Sequence, residues 1–286
     1  MKFVWIDQHK DSFDVTCMCR MLKVSRAGFY AWQKRPQSLK SLRKQEVLEE
    51  IRKVHASSHG IYGSPRVAEE LAEQGVRACV NTVARYMKEA GIRSKIKRRF
   101  RVSTTDSRHI FPIAPNLLDR QFEASGPNQK WCCDITYIPT AEGFLYLAAV
   151  IDVFSRRIVG WSMADYLRAE LCVDALQMAI ARRRPGAGLL HHSDRGVQYA
   201  CQEYRQLLEK HGIVASMSGT GDCYDNALME SFWGTLKREW THHELYLTRA
   251  EARGSVFRFM EVFYNRQRRH SAIGYVSPEQ FEASLN

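Results

Sequence analysis

Three acidic residues, far apart along the chain, sit where their types could do chemistry. Asp134 lies in the apolar run WCCDITYI (131–138), Asp194 ends the climb of GLLHHSDRGVQY (188–199), and Glu230 lies within GDCYDNALMESFWGTLKRE (221–239). An unpaired carboxylate among residues that should be buried is expensive. A divalent cation, which prefers oxygen ligands, would neutralise it. Asp194, directly before Arg195 and Gly196, stands at the carboxyl end of a strand and is either a turn-former or a piece of a site. In the third segment Asp222 reads as a helix N-cap, with Asp225 in the first turn. Glu230 lies two turns inside; at about 100° per residue, Asn226 and Lys237 share its face while Asp225 points away. Acids from two strands and a helix, converging on one sheet edge, would suit two divalent ions roughly 4 Å apart, one activating an attacking oxygen and one stabilising a leaving oxygen. Oxygen-only ligation speaks against zinc. The rival Asp152 reads as a turn residue or a partner of Arg156 or Arg157, His191 and His192 as satisfied strand histidines, and His55 and His59 as surface or hinge residues.

Positioning three such acids requires a sheet. Strand patterns cover 130–138, 143–152 and 156–164, helical spacing covers 168–184, and a fourth strand covers 188–193. A helix at about 199–211 is stopped by Gly212; a fifth strand covers 213–218 and a helix starts near 222. Three antiparallel strands followed by alternating helix and strand make a mixed α/β sheet of the ribonuclease H-like order. Thr248 and Glu251 form a capping box opening a helix to about 266, with Val256, Phe259 and Phe263 on one side. In the closing YNRQRRHSAIGYVSPEQFE, Phe263, Tyr264 and Tyr275 read as packing residues, whereas Arg266, Arg268 and Arg269 could touch a phosphate.

The flanks carry a different signal. Residues 13–34 read as a helix-turn-helix with Ser25 capping its second helix. A helix near 41–56 precedes a second pair: Ser64 as N-cap with Pro65 following, a stop at Gly75, and Asn81 capping a helix that carries Arg85 and ends at Gly91. The stretch IRSKIKRRFRV (92–102) includes Arg98, Arg99 and Arg101 and suits phosphate contacts. Residues 103–127 lose periodicity and read as a linker. Charge follows the same partition: 1–127 hold 24 Lys+Arg against 13 Asp+Glu, 128–245 hold 12 against 14, and 246–286 hold 6 against 4. A polyanion is the partner this implies for the N-terminal part. The expected divisions are a helix-turn-helix module (1–38), a second helical DNA-binding module (39–95), a basic segment and linker (96–127), a catalytic core (128–245) and a C-terminal helical segment (246–286). No apolar stretch approaches a membrane span and the N-terminus lacks a signal-peptide pattern, so a cytoplasmic, nucleoid-associated protein is expected. Eight scattered cysteines suit reduced thiols better than a disulfide framework.

WCCDITYI, HHSDRGVQY and YDNALMESFWGTLKRE, with 35 residues between Asp194 and Glu230, resemble the acid triad of the retroviral-integrase and transposase superfamily. The closing YNRQRRHSAIGYVSPEQFE and the IYGSPRV…NTVARYMKEAGI module narrow the resemblance to the second-frame (OrfB) product of the insertion-sequence-three family. It implies Asp134, Asp194 and Glu230 as ligands of two Mg²⁺ ions, with Mn²⁺ able to substitute, and Lys237 as a DNA contact near the cut. It implies hydrolysis of a phosphodiester at terminal inverted repeats, followed by attack of the freed 3′-hydroxyl on another phosphodiester without a covalent enzyme intermediate. The implied partners are double-stranded DNA, both element ends and target, a second copy of the chain in a homodimer or larger assembly, and an upstream-frame OrfA product or fusion. Two other readings stay open here: a catalytically silent DNA-binding regulator, and a ribonuclease H-like nuclease acting on RNA–DNA hybrids.

Overall fold

The computed structural model describes residues 1–35, 38–95, 112–219 and 223–285. The chain starts with three short helices, α1 (Lys2–His9), α2 (Val15–Met21) and α3 (Arg26–Gln33). Asp14 caps α2 by accepting from the Cys17 amide at 2.9 Å, and Ser25 caps α3 by accepting from the Gly28 amide at 3.0 Å. α1 is not announced by apolar spacing, because Ile6 alone among its residues is fully buried; it joins Met18, Cys19 and Phe29 in a small separate core.

The second helical module comprises α4 (Leu39–Ser57), α5 (Ser64–Glu73) and α6 (Val80–Glu89). Its helix starts fall slightly earlier than expected. Gly63 is the N-cap of α5, leaving Ser64 and Pro65 inside its first turn, where the missing proline N–H costs nothing; Cys79 takes the cap of α6 in place of Asn81. Both stops fall on glycines in the left-handed region, Gly75 at φ 78° and Gly91 at φ 69°.

The sheet contains β1 (Lys130–Thr140), β2 (Gly143–Asp152), β3 (Ile158–Ala164), β4 (Leu190–Ser193) and β5 (Val214–Met217), in spatial order β3-β2-β1-β4-β5. β1, β2 and β3 run antiparallel in sequence, and β4 and β5 add in parallel to β1. α7 (Ala169–Arg183) crosses from β3 to β4. The helix expected at 199–211 is split into α8 (Val197–Ala200) and α9 (Gln202–Lys210). This is the ribonuclease H-like arrangement expected from the order of elements.

Alternation along β1 assigns its two faces. Trp131, Cys133 and Ile135 face α7 and α9 and pack with Leu171, Ala175 and Tyr204. Cys132 and Ile138 face the opposite layer, made by α10 (Ala227–Glu239), α11 (Arg249–Phe257) and a π-helical continuation at Arg258–Tyr264, with Met229, Phe232, Val256, Phe259 and Phe263 in contact. The capping box of Thr248 and Glu251 is present as expected. α12 (Pro278–Ala283) follows with a capping box of its own. One continuous apolar core also takes in Val47, Ile51, Val67, Leu71 and Val83 of the second helical module. The two sheet edges are covered. Asn265 bonds both the amide and the carbonyl of Ile158 on β3 at 2.9 Å, and the Leu117 and Leu118 amides donate to Ser216 Oγ on β5.

Close approach of α7 to β3 depends on Gly160. A Cβ there would collide with the Ala175 carbonyl and lie 2.7 Å from the Ala179 Cβ. Gly160→Ala is therefore expected to destabilise the chain by about 1–3 kcal/mol through overpacking. Denaturant unfolding of the variant checks this, and an unchanged midpoint would refute it.

Candidate active site

The parallel pairing of β1 with β4 sets Lys130 opposite Leu190, Trp131 opposite His191 and Cys132 opposite His192, and then stops. Carrying that register two residues further puts Asp134 opposite Asp194, on the face turned toward α10. Neighbouring strands lie about 4.8 Å apart, so the acids meet in the notch where β4 ends and β1 continues. Two carboxylates this close repel. The Asp134 carboxyl is pushed up to about 7, first by burial and then by the charge of Asp194, against the opposing pull of its hydrogen bonds and of Lys237.

Neighbours hold both acids in place. Asp134 Oδ1 accepts from the Ile135 amide at 2.8 Å and Oδ2 from the Trp233 indole at 2.9 Å. Asp194 Oδ1 accepts from the Gly196 amide at 2.9 Å. Asp194 is thus a turn-former as well as half of a paired carboxylate site. Trp233 is a functional neighbour that sequence reasoning missed, although its position was readable: it falls one turn after Glu230 and one turn before Lys237 on the same stripe of α10.

That stripe is Asn226, Glu230, Trp233 and Lys237. Lys237 is half-buried; burial lowers its pKa while Asp134 raises it, and its Nζ lies 5.0 Å from the centre of the Tyr137 ring. Asn226, expected at the DNA, is buried instead, and its Nδ2 donates to the Cys133 carbonyl at 3.1 Å. It clamps the start of α10 to β1, because a short amide just ahead of the helix reaches the strand and not the solvent. Glu230 is exposed near the start of α10. Among the described residues, no group of three or more His, Cys, Asp or Glu side chains is close enough to hold a metal ion. The structure therefore joins Asp134 to Asp194 and leaves Glu230 on the adjoining helix face. The donor chemistry of the pair, with oxygen atoms alone and two crowded carboxyls whose burial and mutual repulsion a bound cation would relieve, fits a hard divalent cation.

The other acids and bases near the notch have structural work. Asp225 is buried and accepts from Asn116 Nδ2 and the Gly219 amide, both at 2.8 Å. Asp222 lies outside the described residues. Asp152 accepts from the Asn128 and Phe154 amides at 2.7 and 2.9 Å; its nearest cation is Arg183 at 3.8 Å, not Arg156 or Arg157. His191 meets the Tyr204 hydroxyl at 3.1 Å, and His192 meets Ser216 and Ser218 at 2.9 and 3.1 Å. Burial pushes their pKa values down to about 3 and about 4, so both stay neutral.

Of the expected phosphate contacts, Arg85 is exposed on α6 beside Tyr86, and Arg98, Arg99 and Arg101 lie outside the described residues. Arg268 and Arg269 are not surface residues. Arg268 is bidentate to Glu239, at 2.6 and 2.7 Å, and Arg66 of α5 reaches the same carboxylate at 3.4 Å. Arg269 pairs with Glu70 at 2.7 Å and with Glu73. The Tyr62 hydroxyl donates to the Gln267 carbonyl and accepts from the Arg269 amide, each at 3.0 Å. These arginines fasten the second helical module to the last turn of α10. The acids that claim them stand some 30 to 200 positions away, beyond any local pattern.

The fold is that of an integrase-type core joined to a helix-turn-helix-like module. Integrase core domain families match residues 124–223 and 211–278, and an HTH-like domain family matches residues 42–100. The chain is 44% identical over 284 residues to "Transposase InsF for insertion sequence IS3A" of Escherichia coli (strain K12), covering 99% of this chain and 98% of that protein. It is 46% identical over 264 residues to "Insertion element IS600 uncharacterized 31 kDa protein" of Shigella sonnei, covering 92% and 97%. A simian T-cell lymphotropic virus intasome structure aligns with 16% identity and a TM-score of 0.48, over 81% of this chain and 74% of that one. The chain belongs to the insertion-sequence-three family of transposases. Its function is DNA transposition, and the reading as a silent regulator is not favoured. No helix among the described residues is long and apolar enough to cross a membrane.

Proposed function

We propose that this chain cuts phosphodiesters at the terminal inverted repeats of its element and joins the resulting 3′ end to another DNA strand, with Asp134, Asp194 and Glu230 as the acids that hold divalent cations. The observation that carries the reading is the meeting of Asp134 and Asp194 in the β1–β4 notch, with one carboxyl pushed up to about 7. Bound Mg²⁺ or Mn²⁺ ions, two per site, would activate the attacking oxygen and stabilise the leaving one.

The chain's own residues do the positioning. The Trp233 indole and the Ile135 amide fix the Asp134 carboxylate, and the Gly196 amide fixes that of Asp194, so neither acid has to be ordered when substrate arrives. Glu230 completes the set from the adjoining helix face. Lys237, drawn toward Asp134, places a cation at the rim of the notch for the DNA phosphate beside the cut. In the first step a water oxygen attacks phosphorus and the bond to the 3′ oxygen breaks, leaving a 3′-hydroxyl. In the second step that hydroxyl attacks a phosphodiester of the target, whose own 3′ oxygen leaves. The helical modules and the basic stretch with Arg98, Arg99 and Arg101 grip the DNA, Arg85 among them. Two element ends must be held together, which calls for at least a homodimer, and an upstream-frame partner or fusion supplies further end recognition.

In the decisive experiment, Asp194→Asn and Glu230→Gln are assayed for Mg²⁺-dependent cleavage and for binding of an inverted-repeat duplex. Cleavage should vanish while binding stays near wild type and the unfolding temperature does not fall. Parallel loss of binding and folding in both variants would sink the assignment. Hydrolysis of RNA–DNA hybrids without preference for end sequence would favour plain ribonuclease H-like activity.

A further inference from the structure

Beyond Cys132, β1 forms no further ladder pairs with β4 among the described residues, and the face of the β1–β2 hairpin that continues past α7 and α9 carries three aromatic rings. Tyr137 stands directly opposite Tyr146 in the antiparallel register. Phe144 shares that face; its ring lies 4.7 Å from Tyr137 and 6.3 Å from Tyr146, and the residue is 48% exposed. Earlier residues on this side of β1, Trp131 and Cys133, are fully covered, so the rings begin where the helices no longer cover the sheet. The row lies on the opposite face of β1 from Asp134, and Lys237 links the two at the edge of the strand. Lys237 Nζ lies 5.0 Å from the Tyr137 ring centre and interacts electrostatically with Asp134.

We propose that Tyr137, Phe144 and Tyr146 form a stacking platform for bases of the DNA strand that is unpaired beside the reacting phosphate. This rests on the function proposed above. Exposed aromatic rings bordered by a cation are the surface that single-stranded nucleic acid uses: the cation attracts the backbone, and the rings accept any base face. Bases inside a duplex have both faces covered by their neighbours and cannot use such a platform. Asp134 is half-buried beneath Trp233, so a scissile phosphate must enter a recess, and an entering strand leaves its partner. The rings lie where the bases of that strand, freed from pairing, would otherwise be exposed to water.

The same rings could serve only as cross-strand pairs that stiffen the hairpin, and the test separates the two roles. The full chain is titrated with three versions of its element's terminal-repeat duplex. One is fully paired, one has the last few nucleotides of the cut strand splayed and labelled with 2-aminopurine, and one has the splayed positions abasic. Tyr137→Ala and Phe144→Ala should each weaken binding of the splayed, base-bearing probe about tenfold. Binding of the fully paired and abasic probes should stay near wild type, the 2-aminopurine quenching should disappear, and Tyr137→Trp should restore it. Equal loss of affinity for base-bearing and abasic probes would overturn the platform in favour of hairpin stiffening. Wild-type quenching without Mg²⁺-dependent cleavage of any probe would instead overturn the proposed activity and leave the platform standing.

Discussion

Asp134→Asn is expected to abolish strand cleavage and, in the absence of metal, to remove the loss of stability that the wild type shows as pH rises through about 7. Both effects follow from one carboxyl. A metal-bound oxygen ligand contributes several kcal/mol of transition-state stabilisation, and about 4 kcal/mol corresponds to a rate loss of about 10³-fold. The second effect is on how stability depends on pH. The Asp134 carboxyl is raised from 3.8 to about 7, first by burial and then by Asp194. Because its value in the folded chain lies above that in the unfolded chain, protonation favours folding. The contribution is fully present below about pH 4 and is lost as pH rises through about 7. Asparagine is neutral throughout but has a single oxygen where the carboxylate uses two, one for the Ile135 amide and one for the Trp233 indole, so it removes the pH dependence and keeps only one of those bonds. Thermal unfolding in a chelator at pH 5 and pH 8 checks this. Wild type should lose stability between the two pH values and regain it on adding Mg²⁺; Asp134→Asn should do neither. A wild-type profile no steeper than that of the variant would refute the paired-acid description.

Glu239→Gln should cost about 3–5 kcal/mol of stability, because it removes the anion from a nearly buried cluster with two guanidiniums. The Glu239 and Arg268 side chains are only 9% and 6% exposed. Burial alone would push the Glu239 carboxyl up; the Arg268 hydrogen bonds outweigh it, and the carboxyl is held below its ordinary value. With glutamine in its place, Arg66 and Arg268 repel one another without an anion between them. Adding Arg268→Met to Glu239→Gln should recover much of the loss, since an apolar side chain of similar length does not need the partner. Denaturant titrations of the four-member cycle read the coupling directly. Additive losses would mean that the bidentate pair contributes nothing of its own. Glu239 ends the helix that carries Trp233 and Lys237, so the single variant should also loosen the grip on Asp134.

Much of this protein is legible without coordinates, and the residues show why. The five strands, their order of type and the capping box at Thr248 are local patterns, set by which side chains must be buried every second or every fourth position and by which hydroxyl can bond a free amide. Asp134 stands out because a carboxylate in an apolar strand contradicts its surroundings, and Asp194 because it closes a strand where ligands bind. Asp222, Arg98, Arg99 and Arg101 lie outside the described residues and stay at the level of that reading. Other features are matters of distance across the fold. Asp134 and Asp194 are neighbours because one parallel register ends two residues before them. Asn226 turns inward to a carbonyl on β1, and Asp152 finds Arg183 in preference to the adjacent arginines. Arg268 and Arg269, which look like phosphate contacts in an exposed basic tail, are held by carboxylates from α10 and α5. The amino-acid order by itself determined the elements and the kind of chemistry, since both follow from short-range periodicity and from the cost of burying charge. Tertiary structure alone decided which charges meet, because an ion pair depends on separation in space, and that separation is set by how the sheet and its helical layers pack.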